Sequence, residues 1–294
     1  MWPSENLNAK SLVHNRIATE EQLMVMGPTH AVSGAAAWLV ACAVADQAFG
    51  YQQSAAAIAV GTIACTGASL LPDLDCSGRV LQNKGGSTVA RTFGVASLFV
   101  AECVEKAALG IYLVTKTKKD KKKTHGHRTF THTWLFAILL GIGTAALVAN
   151  FGKPAVIPIM FVLTGLALRG VMNDWARKQG WWVITLLSLA TAFGLYQLLP
   201  GHHSYAILGA AVTIGCIVHT FGDMITKMGC PIAFPVPIKK RLWYEVGLPK
   251  KWAIRAGSPV EKKVLMPVFT TAAVGAMLFL LPEMRILFTA LLGE

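Results

Sequence analysis

The chain has 294 residues, of which 54% are apolar and only 14% charged, whereas soluble domains average roughly 45–50% and about 25%. With a mean hydropathy of +0.51, this composition disfavours a soluble enzyme and predicts membrane-length apolar runs. The net charge of +12 would suggest nucleic acid in a soluble protein, but a membrane surface explains it equally well. Because no DNA- or RNA-binding motif accompanies the charge, we expect membrane lipids as partners and no nucleic acid.

Residues 1–26 are polar and mixed in charge, and they lack the apolar core and cleavage site of a signal peptide. We therefore predict a polar N-terminal tail over 1–26 and a single membrane-embedded domain over 27–294. The six cysteines form no C-x-x-C pair, which argues against a disulfide framework or a zinc ribbon. Most of them are expected to be small buried apolar residues.

Seven apolar runs approach the roughly 20 residues that cross a bilayer as a helix. They lie at about 31–49, 54–71, 133–150, 154–170, 181–199, 204–222 and 264–281. A last stretch, 284–292, is too short to cross alone and is expected at the interface or as an extension of the preceding hairpin. The predicted fold is all-α and polytopic, with about seven transmembrane helices plus an interfacial amphipathic helix.

The amphipathic helix is predicted within residues 89–115, which are apolar but carry four charged side chains. Apolar residues recur there at spacings compatible with one helical face, while Glu102 and Lys106 form an i,i+4 pair. We interpret this segment as lying on the membrane, inside a cytoplasmic and interfacial insertion that covers 76–126.

The distribution of Lys and Arg predicts which face is cytoplasmic. The turns near 50–53, 151–153 and 200–203 contain only Lys153, and Arg285 is the one further basic residue on that side. The opposite side therefore holds 25 of the 27 Lys and Arg, including the basic loop 224–263, and is predicted to be cytoplasmic. The lysine run at 116–123 is interpreted as a solvated or headgroup-facing cluster.

Seven His and Asp side chains lie at the ends of four of these spans. They are His30, Asp73, Asp75, His127, His132, His219 and Asp223. The topology places all of them on the cytoplasmic side, and the i,i+4 spacing of the last two puts both on one helical face. Imidazole and carboxylate bind zinc, manganese or iron, and clustered carboxylates repel one another without a cation. We predict a divalent metal centre, with zinc favoured; a purely structural polar cluster is the alternative.

Five short segments occur in an order that resembles a known family. They are His30, PDLD (72–75), HRTFTH (127–132), HTFGDMITKMGCPIAFP (219–235) and GSPVEK (257–262). From His30 to about Pro267 the chain resembles the YdjM-type family of bacterial membrane-bound, predicted metal-dependent hydrolases. The resemblance implies a multi-pass protein of the bacterial inner or plasma membrane.

That family is itself distantly similar to the phospholipase C and P1 nuclease group of zinc phosphoesterases, whose helices present His and Asp ligands. The resemblance implies a ligand order that begins with His219 and Asp223 and continues with His132, His127, Asp75, Asp73 and His30. Cys76 stands where many relatives have His, so the resemblance assigns no role at that position.

The predicted function is hydrolysis of a phosphoester or related bond by water whose pKa a metal ion lowers toward about 7. Either Asp73 or Asp75 is expected to serve as general base instead of ligand, and the sequence leaves that choice open. Arg128 is the candidate for binding a substrate anion, with a headgroup or backbone contact as the alternative. A site at headgroup level favours a lipid or lipid-linked phosphate substrate.

Two further residues have supporting roles in this hypothesis. Lys227 would add positive charge near Asp223, and Glu261 would orient a ligand or stabilise a helix start. The alternative class is a transporter or ion-handling protein that uses the same cluster, and a third is a membrane anchor with a metal-stabilised cap. The sequence predicts no particular oligomeric state.

Overall fold

The computed structural model describes residues 27–76, 89–199, 205–255, 257–281, 283–284 and 286. Within them the chain forms helices α1 (Gly27–Phe49), α2 (Ala55–Ala68), α3 (Val95–Thr115), α4 (Trp134–Phe151), α5 (Lys153–Val171), α6 (Asn173–Gln179), α7 (Trp181–Leu198), α8 (Ile207–Met224) and α9 (Met266–Leu280). Three 3₁₀ turns (Pro72–Asp75, Val89–Arg91 and Phe130–His132) and a π-helical turn (Glu261–Leu265) complete the regular structure of this part. Several predicted regions lie wholly or partly outside the described residues: the tail 1–26, residues 77–88 of the insertion 76–126, the turn 200–203, and residues 285 and 287–292 of the last apolar stretch.

Seven helical segments of the described chain are long and apolar enough to cross a bilayer, which confirms the predicted all-α, polytopic fold. They are Gly27–Phe49, Ala55–Asp75, Trp134–Phe151, Lys153–Val171, Trp181–Leu198, Ile207–Met224 and Glu261–Leu280. The 21-residue helix α3 is not among them, because it carries three charged side chains. Instead, α3 packs on the three 3₁₀ turns. Its buried residues Ser97, Ala101, Ala108 and Tyr112 are four, seven and four positions apart, which is one or two helical turns, as expected for a one-sided amphipathic helix.

Local chemistry explains where the helices begin and end. Ser54 accepts a hydrogen bond from the backbone N–H of Ala57 at the start of α2, and Thr133 accepts one from Phe136 at the start of α4. Gly152 separates α4 from α5 with φ +62°, a left-handed conformation that costs glycine little. The next position but one is Pro154, which is compatible with the first turn of a helix.

Helix α2 lies at the centre of the bundle, and two glycines allow its close contacts. Of the most apolar 18 residues in its span, Ala55–Asp75, 67% are buried, whereas α9 has no buried residue. A Cβ at Gly67 would lie 2.0 Å from the carbonyl oxygen of Leu163 on α5, and one at Gly215 of α8 would lie 2.6 Å from that of Cys65. Small residues therefore bring three helical backbones together near the end that carries the polar motifs.

A loop layer covers this same end of the bundle. Asp120, within the lysine run, accepts hydrogen bonds from the backbone N–H groups of Thr117, Trp243 and Leu242 at 2.7, 3.0 and 3.3 Å. Beneath it, Trp243 stacks on Phe234 with ring centroids 4.0 Å apart. Partial burial alone would raise the pKa of Asp120, but these donors outweigh it and hold the pKa below its ordinary value. The lysine run and the basic loop 224–263 thus form one ordered layer.

Replacing Gly215 by Val is expected to push α8 away from α2, because the added side chain meets the backbone at Cys65 and Ser69. Overpacking of this kind costs about 1–3 kcal/mol, so the melting temperature in detergent should fall by several degrees. Gly143→Val is the matched control, since a Cβ there meets nothing within 4 Å. Equal melting temperatures for the two variants would contradict the close α2–α8 contact.

Replacing Asp120 by Ala is expected to open the loop layer, because three backbone donors lose their acceptor. Hydrogen bonds to a charged group contribute about 1.5–3 kcal/mol when shielded, and partial exposure here reduces this to roughly 1 kcal/mol. Trypsin should then cleave the run 116–123 several-fold faster than in wild type, with Asp120→Asn intermediate.

Since the folded pKa of Asp120 is depressed, the stabilisation is present above the ordinary aspartate pKa and is lost as the pH falls through the folded value. Tryptophan fluorescence can follow this loss.

Candidate metal centre

The structure brings all seven predicted His and Asp residues together at one end of the bundle. His30 lies in the first turn of α1, and the turn Pro72–Asp75 that extends α2 supplies two carboxylates. The loop before α4 supplies two imidazoles, and the last two turns of α8 supply His219 and Asp223. Six of the seven are buried, and Asp73 is intermediate. Helices that begin and end at one membrane boundary therefore converge their terminal side chains, as the sequence predicts.

Four side chains form what we call the inner cluster: Asp73, His132, His219 and Asp223. The Nε2 atoms of the two histidines are 3.2 Å apart, and each lies 3.7 Å from Oδ1 of Asp73. Oδ2 of Asp223 is 3.5 Å from the first imidazole and 3.7 Å from the second. A tetrahedral zinc ion with N and O ligands at about 2.0–2.1 Å has ligand atoms about 3.3–3.4 Å apart. The five distances among the imidazole nitrogens and the carboxylate oxygens are therefore close to the spacing of ligand atoms around a zinc ion.

The contacts of the two Nδ1 atoms explain why the Nε2 atoms of His132 and His219 face each other. Nδ1 of His219 is 2.8 Å from the carbonyl oxygen of Ser69, so it carries the proton that it donates. Nδ1 of His132 faces Oδ2 of Asp75 at 3.3 Å. Metal-binding histidines have this arrangement, in which a carbonyl or carboxylate fixes the tautomer and leaves the other nitrogen as ligand. The two Nε2 atoms, 3.2 Å apart, therefore face the same point, where a cation could be held between them.

His30 joins the cluster from α1. Its ring stacks on His219 with centroids 3.9 Å apart, and its Nε2 lies 3.6 Å from Oδ1 of Asp223. These three residues can offer ligand atoms to one ion. At the start of α1, the hydroxyl of Thr29 donates to the buried carboxylate of Glu261 at 2.6 Å. Glu261 also accepts from the backbone N–H of Gly257 at 2.7 Å, so it braces the helix that carries His30, in line with the predicted orienting role.

Arg128 is the cation that balances Asp223. Its buried guanidinium lies 2.6 Å from Oδ1 of that carboxylate, and it donates to the carbonyl oxygen of Gly229 at 3.1 Å. Burial opposes the charged form, but the Asp223 charge raises the pKa of Arg128 above its ordinary value. The role of substrate clamp stays a prediction; in this structure the Arg128 side chain is 1% exposed and contacts the carboxylate of Asp223.

The last lysine of the basic run takes part in this arrangement. Arg128 has a left-handed backbone, with φ +54°, and the Nζ of Lys123 donates to its carbonyl oxygen at 2.6 Å. Only 13% of the Lys123 side chain is exposed, against 64% for Lys121. Burial lowers the pKa of Lys123, while Glu245 acts in the opposite direction. Most of the run fits the predicted solvated cluster, whereas Lys123 supports the site.

The formal charge of the site favours a divalent cation. Three buried or partly buried carboxylates face one guanidinium, which leaves about two negative charges in a low-dielectric setting. The effect is visible at His132, which lies outside the spans. Burial disfavours its protonated form, yet the carboxylates of Asp75, Asp73 and Asp223 raise its pKa to about 9.

A second group, which we call the outer cluster, consists of Asp73, Asp75, Cys76 and His127. Nδ1 of His127 lies 2.7 Å from Oδ1 of Asp75 and 2.9 Å from Sγ of Cys76. The other oxygen of Asp75 accepts a hydrogen bond from the hydroxyl of Thr131. Sequence reasoning left Cys76 without a role, and only the fold shows that its thiol lies beside a predicted ligand.

The remaining polar candidates lie around this centre. Cys230, which the sequence grouped with buried apolar cysteines, places its Sγ 3.6 Å from Oδ2 of Asp223. Lys227 is half-buried on the turn after α8. His125 lies in a loop as predicted. Asp73 has 19% of its side chain exposed, whereas the other members of the inner cluster have at most 2%, so solvent reaches the site at Asp73.

Fold and site together define a multi-pass helical membrane protein with a buried His and Asp cluster that can hold a metal ion. The chain belongs to the YdjM inner membrane protein family, whose model matches residues 24–283. This match confirms the resemblance drawn from the five segments, and the family description names no activity. No curated protein and no solved structure matches the chain.

Replacing Arg128 by Met is expected to leave Asp223 as an unpaired buried carboxylate. Breaking one side of a buried ion pair costs about 3–5 kcal/mol, so the melting temperature should fall by ten degrees or more. The loss should shrink when a divalent metal is added, since the ion supplies the missing positive charge. Arg241→Met, at an exposed position, is the control. A variant as stable as this control would contradict the positioning role.

Proposed function

We propose that this protein is a metal-dependent hydrolase of the cytoplasmic membrane face that cleaves a phosphoester of a lipid or lipid-linked substrate. The observation that carries the proposal is that Nε2 of His132, Nε2 of His219 and Oδ2 of Asp223 lie 3.2–3.7 Å from one another, with the partly exposed carboxylate of Asp73 beside them. A bound divalent ion supplies an acidified water and neutralises negative charge on the phosphoester. Zinc fits the donor set best, and manganese or iron is compatible with it.

The His and Asp residues of the two clusters would have different roles in such a site. His132, His219 and Asp223 would hold a divalent ion from buried positions, and the partly exposed Asp73 faces the side that water can enter. Asp75 is fully buried, and both of its oxygens contact neighbouring side chains, so a reacting water does not reach it. Of the two carboxylates considered as general base, Asp73 is therefore the one that a reacting water meets.

The position of the site supports hydrolysis over transport. Its residues lie at helix ends, whereas transporters bind their cargo near the midplane, between broken helices of repeated halves. The basic loop layer lies at the same end, which supports the cytoplasmic assignment by the excess of Lys and Arg. An ion at this level is reached laterally by headgroups and from the cytoplasm by water.

An apolar cavity supports a substrate with a hydrocarbon chain. It has a volume of about 530 Å³ and is bordered by α4, α5 and α8, with Leu147, Pro158 and Val212 among its walls. Leu71, two positions before Asp73, also lines it. A chain seated between these helices would bring its polar end toward the exposed carboxylate, so a phosphate attached to that chain suits the site.

Replacing His219 or Asp223 by Ala is expected to remove the metal and reduce turnover by at least about 100-fold, since even residues that only orient metal ligands contribute 10–100-fold. The protein is purified in detergent, its metal content is measured by mass spectrometry, and phosphate release is followed in vesicles of bacterial lipids. His125→Ala is the control, since this histidine lies outside both clusters. Purified wild-type protein that contains no divalent metal would contradict the proposal. Bound metal with no release from phospholipids or polyprenyl phosphates would favour the anchor interpretation.

A further inference from the structure

The outer cluster is a candidate for a second metal position in the same end of the bundle. Asp75, Cys76 and His127 are 0%, 7% and 3% exposed, so all three are enclosed. Their ligand atoms and one carboxylate oxygen of Asp73 lie within 4.8 Å of one another. Asp73 also belongs to the inner cluster, so the two groups of donors meet at a shared carboxylate.

We propose that the outer cluster binds a second divalent ion, with Cys76 as a thiolate ligand. Nδ1 of His127 lies 2.7 Å from Oδ1 of Asp75 and 2.9 Å from Sγ of Cys76, and the sulfur also contacts the same carboxylate oxygen. Three potential ligand atoms of different residues therefore face one point inside an enclosed part of the structure. A cation could bind the carboxylate, the thiolate and the imidazole there, and this mixed donor set is one that zinc accepts.

The local backbone explains why these side chains point to one place. A 3₁₀ helix has three residues per turn, so side chains three positions apart lie above one another. The turn Pro72–Asp75 therefore aligns Asp73 with Cys76, whose backbone N–H donates to the Asp73 carbonyl at 3.2 Å. His127 reaches the same point from the loop before α4.

The distances between the ligand atoms of Asp75, Cys76 and His127 show how far these atoms must move apart to hold an ion. Sγ of Cys76 lies 3.7 Å from Oδ1 of Asp75, close to the roughly 3.5 Å expected between a sulfur and an oxygen on one tetrahedral zinc ion. The two contacts of His127, at 2.7 and 2.9 Å, are about 0.6 Å shorter than the distances between ligand atoms on one tetrahedral zinc ion. A small rotation of the imidazole supplies that space.

Charge supports two ions when the substrate is an anion. With the inner ion in place, the three carboxylates and Arg128 are neutralised. The thiolate and a second divalent ion then add one net positive charge, which suits a phosphoester. The inference goes beyond the proposed function, because ion count and thiolate ligation are measurable whether or not the protein hydrolyses anything.

The test is metal stoichiometry and cobalt spectroscopy on the full chain in detergent. The protein is stripped with a chelator and reloaded with Zn²⁺ or Co²⁺. We expect two ions per chain and an intense near-ultraviolet sulfur-to-cobalt charge-transfer band. Cys76→Ala should retain one ion and lose the band. Cys76→His should retain two ions and lose the band, because imidazole replaces the thiolate as ligand.

Cys230→Ala is the matched control, because this thiol is the one beside Asp223 in the inner cluster. It should keep both the second ion and the band. One ion per chain in wild type, no charge-transfer band, or a band lost in Cys230→Ala and kept in Cys76→Ala would each overturn the proposal. Two ions with no phosphoester turnover would support the second position while contradicting the hydrolase proposal.

Discussion

The ion pair between Arg128 and Asp223 holds the site together, because it fixes a carboxylate at the point where the ends of α1, α2, α4 and α8 meet. Without a partner, a carboxylate at the end of an apolar helix is unfavourable by several kcal/mol. The guanidinium offsets only one of three negative charges, so the pair stabilises Asp223 and still leaves the cluster anionic. Neutralisation of the remainder is a natural role for a divalent ion, and the imidazoles are oriented accordingly.

Close helix packing inside the bilayer makes this arrangement possible, and it keeps the polar cluster at one end of the bundle. Inside the bilayer, helices pack closely where small residues such as Gly67 and Gly215 allow their backbones to approach. Close packing of α2 against α5 and α8 brings the turn after α2 to the end of α8. The polar side chains can then gather just beyond the apolar section, where loops and water satisfy their outer edges.

The loop layer is part of the site as well as its cover. Asp120 joins the lysine run to the basic loop, and Lys123 at the end of the run holds the backbone of Arg128. The lysine run, whose charge predicts the membrane topology, therefore also supports the backbone of Arg128, the partner of Asp223. The solvent-exposed lysines of the same run remain suited to anionic headgroups.

The sequence by itself determined the seven spans, the separate amphipathic helix and the set of His and Asp residues, because apolar run length and polar exceptions at helix ends are local signals. The H-x-x-x-D spacing of His219 and Asp223 likewise requires only one helix. The tertiary structure decided which donors share a site. The pairing of His132 with His219, the closure of Arg128 onto Asp223 and the approach of Cys76 to His127 all join residues far apart in the chain. Such contacts depend on how close the helical backbones come, and no local pattern records that distance.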